Sequence, residues 1–489
     1  MIGLRAERPV VWAVAALVLT LTAPCLARAQ GYRGSVTVSG QWLEIRGLQP
    51  DSLPESDVSG DGTRRQLDDG TVVTCIPNGF CQWYGSGPEE AVSLVTQDVE
   101  VATWPGITGL SGYVHLRGRY GSGDFWPRTD QEVDAIAAYV RYDRGDFRFM
   151  GGRQFRINGL GYYNFDGGAV LWRGFEPLRV ELYGGWGLAR NLNAPRTGDL
   201  LEDADEFAPG DRGLLVGLEV GGRLGEVASG KFTYQREIRS DELAFYSERI
   251  AGDVRAQVER VSVDLSADYD LAFEEVNEAL IRVAAPVARG FEVAALARRY
   301  TPFFELWTIW GAFSPVGYDE GRLTVAWTSP SMDIRLEGGG GYRSYEEANA
   351  GADFIRLEED GWRAFGRARW QPSPWFVDLS YRADRGTGAA RYGGDIAVGR
   401  YFDEGTYLAI RGTSSQNFSE FRLGERLSTG WGADGAVRWR ELSVSGGWGF
   451  YWINMDGQPR VEDWTQQRGH LGVSYRFGRE PVVGEGAYP

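Results

Sequence analysis

The segment VSVDLSADYDL, Val261–Leu271, decides how the whole chain is read. Val261, Val263, Leu265, Ala267, Tyr269 and Leu271 fall on one parity, and Ser262, Asp264, Ser266, Asp268 and Asp270 on the other. Period two places successive side chains on opposite faces of a strand. One face is oily and the other ionic, so the fold turns on which of them is wet. The pattern recurs. Leu178, Val180, Leu182 and Trp186 oppose Arg179, Glu181 and Tyr183. Trp362, Ala364, Ala368 and Trp370 oppose Arg363, Phe365, Arg367 and Arg369, and Trp375, Val377, Leu379 and Tyr381 oppose Phe376, Asp378, Ser380 and Arg382.

A water-soluble sandwich alternates in the same way. Two features separate the cases. The runs reach about 10 residues, against about 5–6 for most strands, and about 9–11 tilted residues span a bilayer. Aromatic residues gather at the run ends (Trp104, Phe175, Trp362, Trp370, Tyr475, Phe477), where interfacial girdles lie. Composition agrees: 18 Trp, 23 Tyr, 23 Phe and 68 Gly favour long strands with tight turns. The expected fold class is all-β, a transmembrane antiparallel up-and-down β-barrel of about 22 strands, with even counts from about 16 to 24 compatible. Closure follows from the need to satisfy every backbone group in lipid. Short connections, as at Asp143–Gly145 and Asp403–Gly405, alternate with longer ones near 48–91, 121–130, 189–211, 304–320, 345–360, 418–426 and 454–465. The stretches 239–256, 272–277 and 304–320 alternate least clearly, and LWTIWGAFS within the last reads as a loop or an extra strand.

The N-terminus carries Arg5 and Arg8, an apolar run from Val10 to Leu21, and Ala27-Arg28-Ala29. This is the layout of a secretory signal peptide cleaved after Ala29. The expected organisation is a signal peptide at 1–29, a barrel at 30–478 and a polar periplasmic tail at 479–489. The destination is the outer membrane of a Gram-negative-type cell, with outer-membrane lipid and the barrel-assembly machinery as partners. Cys75 and Cys81 flank a turn containing Asn78-Gly79 and are expected to form one disulfide at a loop tip. Any obstruction of the bore is expected from 48–91.

The net charge of −16 argues against nucleic acid as a partner. Only two histidines occur, His115 and His470, and no motif supplies a nucleophile, metal cluster or phosphate loop. Neither enzymatic activity nor a metal or cofactor is expected, and His115 reads as a lumen residue. With the oily face toward lipid, Arg117, Arg119, Arg148, Arg156, Arg335, Arg343, Arg363, Arg367, Arg369 and Arg382 are expected to line the lumen. Asp264, Asp268, Asp270, Asp333, Glu337, Asp378 and Asp384 are expected beside them. Cross-strand ion pairing accounts for such rows; an electropositive bore that attracts anions is the functional alternative. Arg153 breaks the pattern beside Phe147, Phe149 and Phe155, and calls for a parity reset at Gly151-Gly152 or a place near the rim.

GGRQFR at 151–156 followed by FDGGAV at 165–170 resembles the alginate-export type of outer-membrane barrel. The resemblance puts Arg153, Gln154 and Asp166 at matching positions in a barrel wall and implies a passive channel. The expected function is a porin or exporter for polar, anionic solutes, small or polysaccharide. The alternative is a structural barrel that sheaths or anchors a protein partner, such as an electron-transfer conduit or surface machinery.

Overall fold

The computed structural model describes residues 31–60, 62, 64–76, 79–122, 133–188, 213–238, 245–272, 274–301, 317–329, 331–346, 360–386, 390–420, 424–455 and 460–479. The expected signal peptide at 1–29, the expected tail from 480 on and LWTIWGAFS therefore lie outside the described residues, while Arg479 belongs to the last strand.

The described residues form 24 strands: β1 (Gly31–Pro54), β2 (Arg64–Gln66), β3 (Val72–Ile76), β4 (Phe80–Trp104), β5 (Leu110–Ser122), β6 (Val133–Arg144), β7 (Phe147–Asn158), β8 (Gly161–Phe175), β9 (Leu178–Gly187), β10 (Leu214–Leu224), β11 (Ala228–Ile238), β12 (Phe245–Val258), β13 (Val261–Asp270), β14 (Glu275–Ala288), β15 (Phe291–Tyr300), β16 (Tyr318–Thr328), β17 (Ile334–Tyr345), β18 (Asp360–Trp370), β19 (Trp375–Arg385), β20 (Ala390–Asp403), β21 (Thr406–Glu420), β22 (Gly424–Trp439), β23 (Leu442–Asn454) and β24 (Trp464–Arg479). Each pairs antiparallel with its neighbour in sequence, except that β1 skips the short β2–β3 hairpin and pairs β4. The ring closes between β1 and β24, from Tyr32↔Arg479 to Leu43↔Arg468. The barrel thus has 22 strands among the described residues, and closure between β1 and β24 leaves the sheet without a terminal edge strand.

Exposure follows parity. Leu182 (55%), Leu265 (40%), Leu323 (53%) and Ile410 (63%) are exposed, whereas Asp268 and Asp270 on the other parity are buried. Which face is inner is settled by a contact across the ring. A Cβ added at Gly159, between β7 and β8, would lie 2.9 Å from Ala251 on β12, four strands beyond β8. Strands lie about 4.8 Å apart, so that contact is a chord through the interior. Ala251 has the parity of Arg249 and Asp253, so the ionic face is the inner one. The outward belt is apolar with aromatic side chains at both margins, as Trp362 and Trp370 on β18 illustrate, both exposed. That is the surface a bilayer requires.

Among the described residues there is no single hydrophobic core. Small clusters take its place. One, of Leu160, Tyr163, Phe165, Tyr183, Leu215 and Ala251, packs inside the ring. Another, of Val58, Val73, Cys75, Cys81 and Trp83, fills the tip of the β1–β4 hairpin. The disulfide Cys75–Cys81 closes that tip. Residues 44–54 and 80–91 continue the β1–β4 ladder past the last β1–β24 pair, with one bulge between Arg46 and Leu48. The tip is tied to the 460–463 segment. The Arg460 guanidinium lies 4.7 Å from the Trp83 ring centroid and its Nε donates to Asp69 Oδ2 at 2.8 Å. The Thr71 hydroxyl, the Thr71 N–H and Arg460 together hold the Asp69 carboxyl down at about 2.

Candidate functional site

The inner wall is built by strands that carry every second side chain inward. On it, carboxylates are shared among arginines. Asp143 receives three: Arg141 Nε at 2.9 Å, Arg148 Nε at 2.7 Å and Arg173 Nη2 at 3.1 Å. These arginines come from β6, β7 and β8, at the end of the barrel with the short turns. Asp378 receives Arg367 at 2.7 Å and Arg369 at 2.8 Å. Asp264 receives Arg255 at 3.5 Å and Arg282 at 3.4 Å. Glu320, with its side chain fully buried, contacts Arg322, Arg343 and Arg363 at 3.3–3.4 Å, and Asp384 contacts the latter two at 3.4 and 3.3 Å. These clusters hold ten arginines around five carboxylates. A carboxylate that satisfies several guanidinium groups at once leaves local positive charge on the wall.

Aromatic side chains interleave with these groups. Arg298 lies 5.1 Å from the Tyr300 ring and 5.8 Å from Tyr318, and Arg343 lies 4.8 Å from Tyr318. Further round, a recess of about 1100 Å³ opens on the inner wall of β18–β24. Arg367, Arg369, Arg411, Arg468, Tyr401 and Tyr407 line it, with Asp378, Asp395 and Asp434 among them. Arg411 pairs with Asp434, and the Arg468 guanidinium lies 4.6 Å from the Tyr451 ring.

The opposite wall is filled instead. The turn at Gly159-Leu160 leans inward and meets β12: Arg249 Nη1 donates to the Leu160 carbonyl at 3.3 Å, and Tyr163 Oη donates to the same oxygen at 3.0 Å. Leu160 is 1% exposed. Around it, Arg156 pairs with Glu181, Arg249 pairs with Asp268, and Gln154 donates to the Gly167 carbonyl at 3.2 Å. Among the described residues the segment found inside the ring is therefore 158–161, whereas the contacts of 48–91 outside its own hairpin run to Arg460 and Glu462. Among the described residues the bore is lopsided: packed beside β7–β12, recessed and arginine-rich beside β16–β24.

The expected residues fall as follows. Arg117 and His115 share Asp98, each at 2.8 Å, so His115 is held in an ion cluster. Arg119 stands opposite Thr96, and Arg335 pairs with Glu337 at 3.3 Å. Arg382 shares the inner parity of Asp378 and Asp384. Asp333 lies in the turn before β17 with φ 51°, off the strand. Gln154 points inward and is buried, while Arg153 and Asp166 take the other parity. The expected parity reset before Arg153 is not seen. The β7–β8 register runs unbroken through Gly151-Gly152, so parity is not reset, and the residue lies between the exposed Phe149 and Phe155. Its charge is tolerated because Asp166 grips it twice, Nε to Oδ1 at 2.8 Å and Nη2 to Oδ2 at 3.0 Å.

Sequence reading missed Asp143, Glu320, Arg141, Arg173, Arg322 and Arg411. Asp143 lies where a turn was expected and Glu320 in a stretch left undecided. Among the described residues no three His, Cys, Asp or Glu side chains converge as a metal site requires.

No family model matches the sequence, and no curated protein matches it. Solved structures share the general architecture. A BenF-like porin from Pseudomonas fluorescens Pf-5 is 9% identical, covering 92% of this chain and 100% of that one, with a TM-score of 0.39. The P pilus usher (PapC) translocation pore is 8% identical over 91% and 99%, with a TM-score of 0.41. A bacterial polysaccharide outer membrane secretin is 9% identical over 61% and 97%, with a TM-score of 0.30. Likeness this distant carries no weight for function; the chain's own geometry has to.

Proposed function

We propose that this chain is an outer-membrane channel that passes polar, anionic solutes through an arginine-lined bore. The observation that carries the reading is the sharing of carboxylates on the inner wall, ten arginines to five acids in four clusters. Fixed charge at the wall of a narrow aqueous path raises the local concentration of the opposite ion. The net charge of −16 does not oppose this, because selectivity follows the charges that face the path rather than the total. Tyrosines beside the arginines would present flat apolar faces to a solute while the guanidinium groups meet its anionic groups. The resemblance to alginate-export barrels is compatible with such a solute, and its identity is left to experiment.

The test is ion selectivity in a planar bilayer. Under a potassium chloride gradient, the reversal potential is expected to lie on the chloride side. A reversal potential at or beyond the potassium side, or no conductance above that of the bare bilayer, overturns the reading.

A further inference from the structure

Among the described residues, neighbouring strands of the barrel are zipped along most of their length, and one ladder stops well short of the others. Strands β7 and β8 pair from Phe147↔Trp172 to Asn158↔Gly161, and β5 and β6 pair as far as Gly118↔Val133. Between them, β6 and β7 pair only from Arg144↔Phe147 to Ala138↔Arg153. This ladder of seven pairs is the shortest between adjacent barrel strands among the described residues. Beyond it, among the described residues, 133–135 and 137 of β6 and 154–158 of β7 each have a ladder partner on one side only, and Ile136, at the β5–β6 bulge, has none on either. The ladder stops beside Gly152, whose φ of +123° is open to glycine and strained for other residues. From there β7 and β8 carry the Leu160 turn into the bore.

The wall is therefore parted at this place, and the parting is bridged by side chains. Arg153, held by Asp166, extends Nη1 to the Ala135 carbonyl at 3.0 Å and to within 3.7 Å of Asp134. Asn164 Nδ2 donates to the Ile136 carbonyl at 3.4 Å. Unzipped backbone cannot face hydrocarbon bare; it must meet polar side chains, water or a polar solute. The outward rim is apolar and open: Val133, Phe155, Tyr162 and Ile157 are all exposed, Ile157 at 70%.

We infer that the parting between β6 and β7 is a lateral portal from the bore to the surrounding bilayer, latched by Arg153 and Asp166, and that it admits a single-chain amphiphile. The tail of such a molecule lies against the apolar rim, and its hydrogen-bonding head meets the open strand edges and the latch. Outside the portal lies lipid; inside lie Arg156, half-buried, and Gln154 and Tyr163, both buried in the closed, latched arrangement of the structure. The inference rests on the reading of the barrel as membrane-spanning, and adds to the axial path a second, sideways one.

The experiment uses the full barrel in proteoliposomes containing a diazirine-labelled stearic acid. After irradiation, the labelled residues are mapped by mass spectrometry. Labelling is expected on inward-facing residues beside the portal, Gln154, Arg156 and Tyr163, as well as on the outward belt at Val140, Leu182 and Leu323. Removing the latch with Arg153→Ala and Asp166→Ala together is expected to raise the inner labelling several-fold relative to the belt. Labelling of the belt with none on the inner residues of the unaltered barrel overturns the portal and leaves the channel reading standing. Absence of belt labelling as well overturns the membrane-spanning reading on which both depend.

Discussion

At the scale of single residues, shared carboxylates define the wall. Asp143→Asn removes the one acid that Arg141, Arg148 and Arg173 have in common. Hydrogen bonds to charged groups contribute about 1.5–3 kcal/mol each, so some stability is lost. Selectivity should move the other way: the reversal potential shifts further toward chloride, because three guanidinium groups lose their counter-charge. Arg367→Gln with Arg369→Gln should shift it toward potassium by thinning the charge beside the recess. Asp69 gives a prediction in pH. Its carboxyl sits at about 2 against an ordinary 3.8, so its folded contacts favour the charged form. Their contribution is complete above about pH 4 and is lost as pH falls through about 2. A carbon-13 titration of the Asp69 carboxyl should show its midpoint well below that of an unstructured aspartate; a midpoint near 3.8 would contradict the hold of Thr71, and with it Arg460, on the charged form.

At the scale of elements, the inward turn at Gly159-Leu160 is the clearest device. Leu160→Ala empties a fully packed site, and such truncations cost about 2–5 kcal/mol when the surroundings do not collapse. Single-channel conductance should rise at the same time, because the Leu160 side chain and its cluster occupy part of the bore. Unchanged conductance would mean that the packed side does not limit the path. The β1–β4 tip behaves independently. Cys75→Ser with Cys81→Ser should expose 55–79 to protease, with a local loss of about 2–3 kcal/mol on the loop-entropy account, and leave conductance as it was. Much of this scale was open to sequence reading. Val261–Leu271 shows its two faces outright, and Cys75 and Cys81 announce their turn. Alternation is a local property, however. It says which face a residue shares, and nothing of where a ladder stops or a turn leans. Arg153 thus looked like a fault in the pattern, because its partner Asp166 and the end of the β6–β7 ladder are set by another strand. Asp143 and Glu320 escaped for a related reason: they lie at strand ends, where parity is hardest to assign.

At the scale of the whole molecule, stability and function share one requirement. Lipid offers no hydrogen bonds, so the strands must close on one another, and closure creates an inner surface that must be wet or packed. This chain does both, with a packed turn on one side and an arginine-rich recess on the other. The orientation of the alternating faces underlies every functional statement and can be measured directly. Single cysteines introduced in turn from Val377 to Arg382, in a Cys75→Ser, Cys81→Ser background, are exposed in proteoliposomes to a charged, membrane-impermeant thiol reagent. Positions 378, 380 and 382 should react through the bore, and positions 377, 379 and 381 should be protected by lipid. Reaction in the opposite phase, or equal reaction at all six positions, would contradict an apolar wall around an aqueous path.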